Sequence, residues 1–79
     1  MTPTQLERVG IALYGARWQT DLARDLAVAD RSVRRWASGQ NPIPASLVGE
    51  LLVLVEQRAV DLAGVADMLK SALASTSAE

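Results

Sequence analysis

Between Asp30 and Pro44 the chain reads DRSVRRWASGQNPIP. Arg31, Arg34 and Arg35 stand three and four positions apart, the spacing that puts side chains on one face of a helix. A guanidinium stays charged at any ordinary pH. Its planar donors fit phosphates, carboxylates and the edge of guanine in pairs. The chemistry open to this stretch is polar and anionic recognition. Bond-making chemistry at neutral pH would call on His or Cys, and the chain has neither. Ser32, Ser38 and Ser46 therefore lack an imidazole to activate them. Asp21 and Asp25 form a carboxylate pair at i and i+4, but Arg24 beside them reads as a solvated, charge-balanced face rather than an acid–base dyad. A metal site would have to be all oxygen, and nothing like an EF-hand loop is present. The sequence thus predicts no catalytic residue, no metal and no cofactor, and a chain that is not an enzyme.

The elements that must position these arginines belong to one small domain of 79 residues, 49% hydrophobic and 22% charged. A domain of this size buries a modest fraction of its surface and gains from a partner subunit. The net charge of −1 hides an asymmetry. Residues 1–44 hold six arginines against four acids, whereas residues 45–79 hold Arg58 and Lys70 against five acids. That division points to a basic working face and an acidic remainder. The N-terminus, MTPTQLERVG, lacks a signal-peptide pattern, and Glu50, Glu56 and Asp61 interrupt the most apolar region. The expectation is a soluble, cytoplasmic protein without a membrane partner.

Apolar periodicity predicts an all-α fold of about five helices. Thr2-Pro3-Thr4-Gln5 carries a capping Thr, a proline at the first helical position and a Gln three residues on from the cap. Leu6, Val9, Ala12 and Leu13 follow at helical spacing, and Gly15 is a stop. A second, short helix opens at Trp18, with Leu22, Ala23 and Leu26 facing inward. A third begins near Asp30, turns Val33, Trp36 and Ala37 inward, and ends at Ser38-Gly39. Gln40 to Pro44 forms a rigid connector whose prolines fix φ. A long apolar helix is predicted from about Ala45 to Arg58, with Leu47, Val48, Leu51, Leu52 and Val55 on its core stripe, widened by Val53 and Leu54. A last helix, roughly Val60 to Leu73, either follows a break or continues the previous one, since Gly64 is the only weak point. The predicted division is a core over 1–58, a C-terminal helix over 59–74 and a frayed polar tail over 75–79.

Counting from Gln19, Ala23 comes four positions later, Ala27 eight, Val28 nine, Val33 fourteen and Trp36 seventeen. Two short helices joined by a tight turn need this pattern. A small Ala23 lets the second helix approach the first, and Ala27 sits in the turn. Val28 and Val33 plug the gap, and Trp36 anchors the second helix of the pair. Here the segment QTDLARDLAVADRSVRRWASG, followed by the connector NPIP, resembles the helix-turn-helix of the Cro and phage-repressor (XRE-like) type. The resemblance covers Gln19 to Gly39 well and Leu6 to Leu54 loosely. It departs from the family pattern at two places: the turn position usually held by Gly is Ala27, and the usual Ser or Thr cap is Ala29, which leaves Asp30 to cap instead.

The resemblance implies that the helix beginning at Asp30 lies in the major groove of duplex DNA. Its implied base readers are Asp30, Arg31, Ser32 and Arg35, with Asp30 either orienting Arg31 or accepting from a cytosine. Arg34, Arg17, Gln19, Thr20, Gln40 and Asn41 are the implied phosphate contacts, which position the protein without reading sequence. The implied role is a small transcriptional regulator, a repressor acting by promoter occupancy, in a bacterial or phage-infected cell and associated with the nucleoid. Competing readings of the same residues stand beside these. The arginines are also what a solvated helix face carries, and Asp30, Gln19 and Thr20 suit ordinary helix starts.

The C-terminal half has more large apolar residues than one surface helix can hide. Leu54, Leu62, Val65, Leu69 and Leu73 are the candidate dimerisation residues, because a soluble monomer rarely leaves such a patch uncovered. The predicted partners are a second copy of the chain and double-stranded DNA carrying an inverted repeat. The alternative is a protein-interaction module or adaptor, antitoxin-like or inhibitor-like, that keeps the fold and binds little DNA.

Overall fold

The structure is a computed structural model that describes residues 1–77. It contains four α-helices and no strand among the described residues: α1 (Pro3–Tyr14), α2 (Trp18–Leu26), α3 (Asp30–Ser38) and α4 (Ala45–Ser77). The all-α expectation holds, but the helices number four rather than five. The predicted fourth and fifth helices are one continuous helix of 33 residues. No proline interrupts it, and an interior glycine such as Gly64 costs only about 1 kcal/mol relative to alanine. Of the predicted frayed tail over 75–79, residues 75–77 are helical instead, and Ala78 and Glu79 lie outside the described residues.

Local chemistry explains the helix ends. At the start of α1 the Gln5 N–H donates to Thr2 Oγ1 at 3.1 Å, and the Thr2 N–H donates to Gln5 Oε1 at 2.9 Å. This reciprocal pair satisfies donors that the helix itself cannot. Gly15 ends α1 at φ +82°. The end of α2 is less ordinary. Ala27 adopts a left-handed conformation at φ 57° and ψ 42°, and it is the only non-glycine residue with positive φ among those described. The Ala27 N–H donates to the Arg24 carbonyl at 3.1 Å, and the Val28 N–H donates to the Ala23 carbonyl at 3.0 Å. These two bonds close a Schellman motif around an alanine. The turn accepts a Cβ, as the departure from glycine requires.

α3 is capped differently from the prediction. Ala29 occupies the N-cap and makes no side-chain hydrogen bond, while Asp30 is the first helical residue. Asp30 does not cap; its carboxylate instead faces the positive end of the helix dipole. Gly39 ends α3 at φ +80°.

The core forms where α1, α2 and α3 meet the start of α4. Leu6, Leu22, Ala23 and Val33 are fully buried, and Trp18, Leu47 and Leu51 nearly so. Val9, Leu26, Trp36, Ala37, Ile43 and Leu54 pack around them half-buried. Ala23 is fully buried in this core. Val28 does not plug the gap: it lies at the surface, because the left-handed turn at Ala27 swings it outward. The core stripe of α4 is narrower than predicted. Leu47, Leu51 and Leu54 face inward, while Val48, Leu52, Val53 and Val55 are exposed. Beyond Arg58 the helix projects away from the body, giving the molecule extents of 57 × 22 × 21 Å. No helix among the described residues is long and apolar enough to cross a membrane.

One close approach sets the α1–α2 geometry. A Cβ built on Gly10 would overlap the indole of Trp18, which is itself 4% exposed. Gly10→Ala is expected to destabilise the fold by about 2–3 kcal/mol, the cost of overpacking a filled core. Ala27→Gly should do the opposite, stabilising by about 0.5–1 kcal/mol through relief of left-handed strain. Urea unfolding followed by tryptophan fluorescence measures both.

Candidate nucleic-acid interface

α3 has an amphipathic division with a sharp edge. Val33 is completely buried, and Trp36 and Ala37 are half-buried on the same side. With about 100° between successive residues, Arg31 and Arg35 project from the opposite side and Arg34 lies more to the side, and all three are exposed. Asp30 and Ser32 flank that arginine face on its two edges; Asp30 is exposed and Ser32 half-buried. The structure therefore brings Arg31, Arg34 and Arg35 together. It does not pair Asp30 with Arg31, because the ion pairs among the described residues are those of Arg24 with Asp21 at 3.4 Å and Asp25 at 3.6 Å. The α3 guanidinium groups are thus uncommitted, whereas Arg24 is balanced by the carboxylates the sequence placed beside it.

The other candidate contacts lie around this face. Arg17 precedes α2 and makes no side-chain cap bond; it shares a shallow surface depression with Gln19 and Thr20. A neighbouring depression is lined by Gln19, Arg34 and Ser38 together with Glu7 and Trp18, so Gln19 and Arg34 come together across the α2–α3 pair. Gln40 and Asn41 are exposed just past Gly39. Their backbones close the end of α3: the Asn41 N–H donates to the Arg35 carbonyl at 3.2 Å, and the Gln40 N–H donates to Ser38 Oγ at 3.4 Å. Arginine, amide and hydroxyl groups thus surround a convex helix, an arrangement suited to an extended polyanion and unsuited to enclosing a small molecule. Among the described residues no group of three or more carboxylates is placed to hold a metal ion. The candidate dimerisation residues sit apart from this surface. Leu54 packs half-buried against the core, and Leu62, Val65, Leu69 and Leu73 follow along the projecting part of α4.

Sequence reasoning missed one polar cluster behind the interface. Tyr14 Oη donates to Asp25 Oδ2 at 2.6 Å, and the Arg58 guanidinium lies 5.9 Å from the Tyr14 ring centroid. The cluster ties α1 to α2 and to α4. Its members sit on three different helices separated by turns, so no spacing within one helix could have found it. Burial, and then the hydrogen bond to Asp25, push the Tyr14 hydroxyl up from 10.0 to about 12. Comparison with known proteins gives no match: no family model, curated protein or solved structure is similar to this chain.

The folded state holds the phenol proton more tightly than the unfolded chain does. Its contribution is fully present below about pH 10 and is lost as the pH rises toward about 12. Tyr14→Phe is expected to cost about 1 kcal/mol near neutrality, the typical net worth of a hydrogen bond to a charged acceptor that is partly exposed. The gap between the two proteins should shrink between pH 10 and 12, as read by urea midpoints across the pH series.

Proposed function

We propose that the protein binds duplex DNA through α3, reading base edges in the major groove, and acts as a small transcriptional repressor by occupying a promoter. The observation that carries this reading is the division of α3: one side locked into the core through Val33, the other presenting three arginines without internal partners. A helix so mounted cannot rotate, so its arginines are held toward whatever the face meets. Arg31 and Arg35, four apart, are assigned to bases, with Ser32 and Asp30 at the margins. Arg34, beside Gln19 in a shared depression, is assigned to phosphate, and so are Arg17, Thr20, Gln40 and Asn41. The resemblance of Gln19 to Gly39 to the Cro and phage-repressor helix-turn-helix gives the same assignment. The second partner is another copy of the chain, taken through the exposed apolar residues of α4. Two reading helices then meet two half-sites of an inverted repeat, and each module supplies affinity that one alone lacks.

The test is titration of labelled duplex DNA across a salt series. The observed affinity should fall steeply, with a log–log slope near −0.9 for each phosphate contacted. Arg31→Glu with Arg35→Glu should weaken binding by at least about 100-fold while the helical circular dichroism stays unchanged. Arg34→Ala should weaken it less and flatten the salt slope by about 1. Undiminished binding by the folded double variant would end the assignment of α3 as the reading helix. Absence of salt-dependent binding would leave the interaction-module reading in its place.

A further inference from the structure

We propose that the two copies join through α4 in antiparallel order, the C-terminal end of each helix seating in an apolar groove at the base of the other. The inference starts from a pattern on the exposed face of α4. Beginning at Val48 and stepping alternately by four and three residues, every position to residue 73 is apolar. The first half of the stripe holds Val48, Leu52 and Val55, the second Leu62, Leu69 and Leu73, and Ala59 and Ala66 fall between. An apolar repeat averaging 3.5 residues is the seam of a coiled coil. It is distinct from the inward-facing series of Leu47, Leu51 and Leu54, which serves the chain's own core. Residues 60–76 are exposed throughout. A helix of that length gains most of its stability from packing, so a projecting, apolar one calls for a cover.

Three observations identify the cover as a second α4 and fix its direction. The first is volume. A parallel, in-register pair would set Ala59 against Ala59 and Ala66 against Ala66, leaving two thin layers between thick ones. An antiparallel pair whose two-fold axis passes between Val60 and Asp61 brings all eight positions into layers. It sets Ala59 opposite Leu62 of the second copy, and Ala66 opposite its Val55. Each small residue then faces a larger one, as close packing requires.

The second is charge. Glu56 and Lys70 occupy equivalent positions along one flank of the stripe. Antiparallel order places that flank against the same flank of the second copy. Glu56 and Lys70 of the other copy then lie five residues, about 7.5 Å, apart along the axis. Each side chain leans toward its own N-terminus, and so toward the other. Parallel order would instead set Lys70 against the flank of Val65 and Ala72, without an opposite charge across the seam.

The third is a groove. Met1 and Val9 of α1 and its approach, with Val48, Leu52 and Val55 of α4, line an apolar depression where the long helix leaves the body. In the antiparallel pair Leu69 and Leu73 of the second copy lie level with Leu52 and Val48, over this depression. The stripe offers eight apolar positions over about seven turns on each copy, with the groove in addition, toward the ~800 Å² per partner of a standard stable interface.

The arrangement rests on the proposed pairing of two copies and is independent of DNA binding. Because the chain has no cysteine, single substitutions report cleanly. Full-length Val55→Cys and Ala66→Cys proteins are mixed in equal amounts, oxidised mildly and weighed by mass spectrometry without reductant. Antiparallel order predicts the mixed disulfide in at least about tenfold excess over either self-linked product. Predominant linkage of Ala66→Cys to itself would overturn the antiparallel order while keeping the dimer. Sedimentation equilibrium of the unmodified chain should give a dimer at micromolar concentration; a monomer there would overturn both. Leu62→Glu, at an exposed position, should give a monomer that keeps the near-ultraviolet signature of buried Trp18. A surviving Leu62→Glu dimer would place the seam elsewhere and overturn the proposal.

Discussion

Everything the molecule presents to its surroundings depends on a side chain that is absent. At Gly10 the backbone of α1 runs so close to the Trp18 indole that no Cβ fits between them. This contact seats the first residue of α2 flat against α1. It lets Leu6 and Leu22 meet with no exposed surface and leaves room at Ala23 for α3 to descend. Val33 then closes the core from the α3 side. The arginine face of α3 is aimed by this chain of close packing rather than by any polar bond. It follows that the candidate interface is rigid in orientation while its side chains remain free to adapt.

The polar interactions divide between a supporting side and a working side. Asp21 and Asp25 balance Arg24, and Asp25 also accepts from Tyr14, so the carboxylates of α2 are engaged. None of them reaches the α3 arginines. An acidic protein can therefore carry a locally positive surface, because what an approaching polyanion meets is the local field and not the net charge. Among the described residues, the acids of the C-terminal half, Glu50, Glu56, Asp61 and Asp67, lie along α4.

Much of the body was legible in the sequence because its signals are short-range. The Thr2–Gln5 capping box, the stops at Gly15 and Gly39, and the starts of α2 and α3 each arise from chemistry within a few residues, and each appears where predicted. The arginine face was legible for the same reason, since residues three and four apart share a side of any helix. Three features were not. Asp30 had cap chemistry, but the chain enters the helix one residue earlier and Ala29 takes the cap. Val28 had the size to fill a gap, but its direction depends on the φ of Ala27, which no side-chain pattern encodes. In α4 two apolar series, one through Leu47 and Leu51 and one through Val48 and Leu52, overlap in sequence. Periodicity alone cannot say which one faces the body. The structure gives the first to the core and leaves the second outside.

This division of α4 joins the two halves of the account. A helix with one apolar face against its own core and another facing outward suits the two proposed tasks, holding α3 in place and pairing with a second copy. The central claim is that the surface so held distinguishes DNA sequences. Selection from random duplex DNA by the purified full-length protein, at physiological salt, tests it most directly. The account predicts enrichment of an inverted repeat, with half-sites spaced by the dimer. Recovery of no preferred sequence by a folded protein would contradict it.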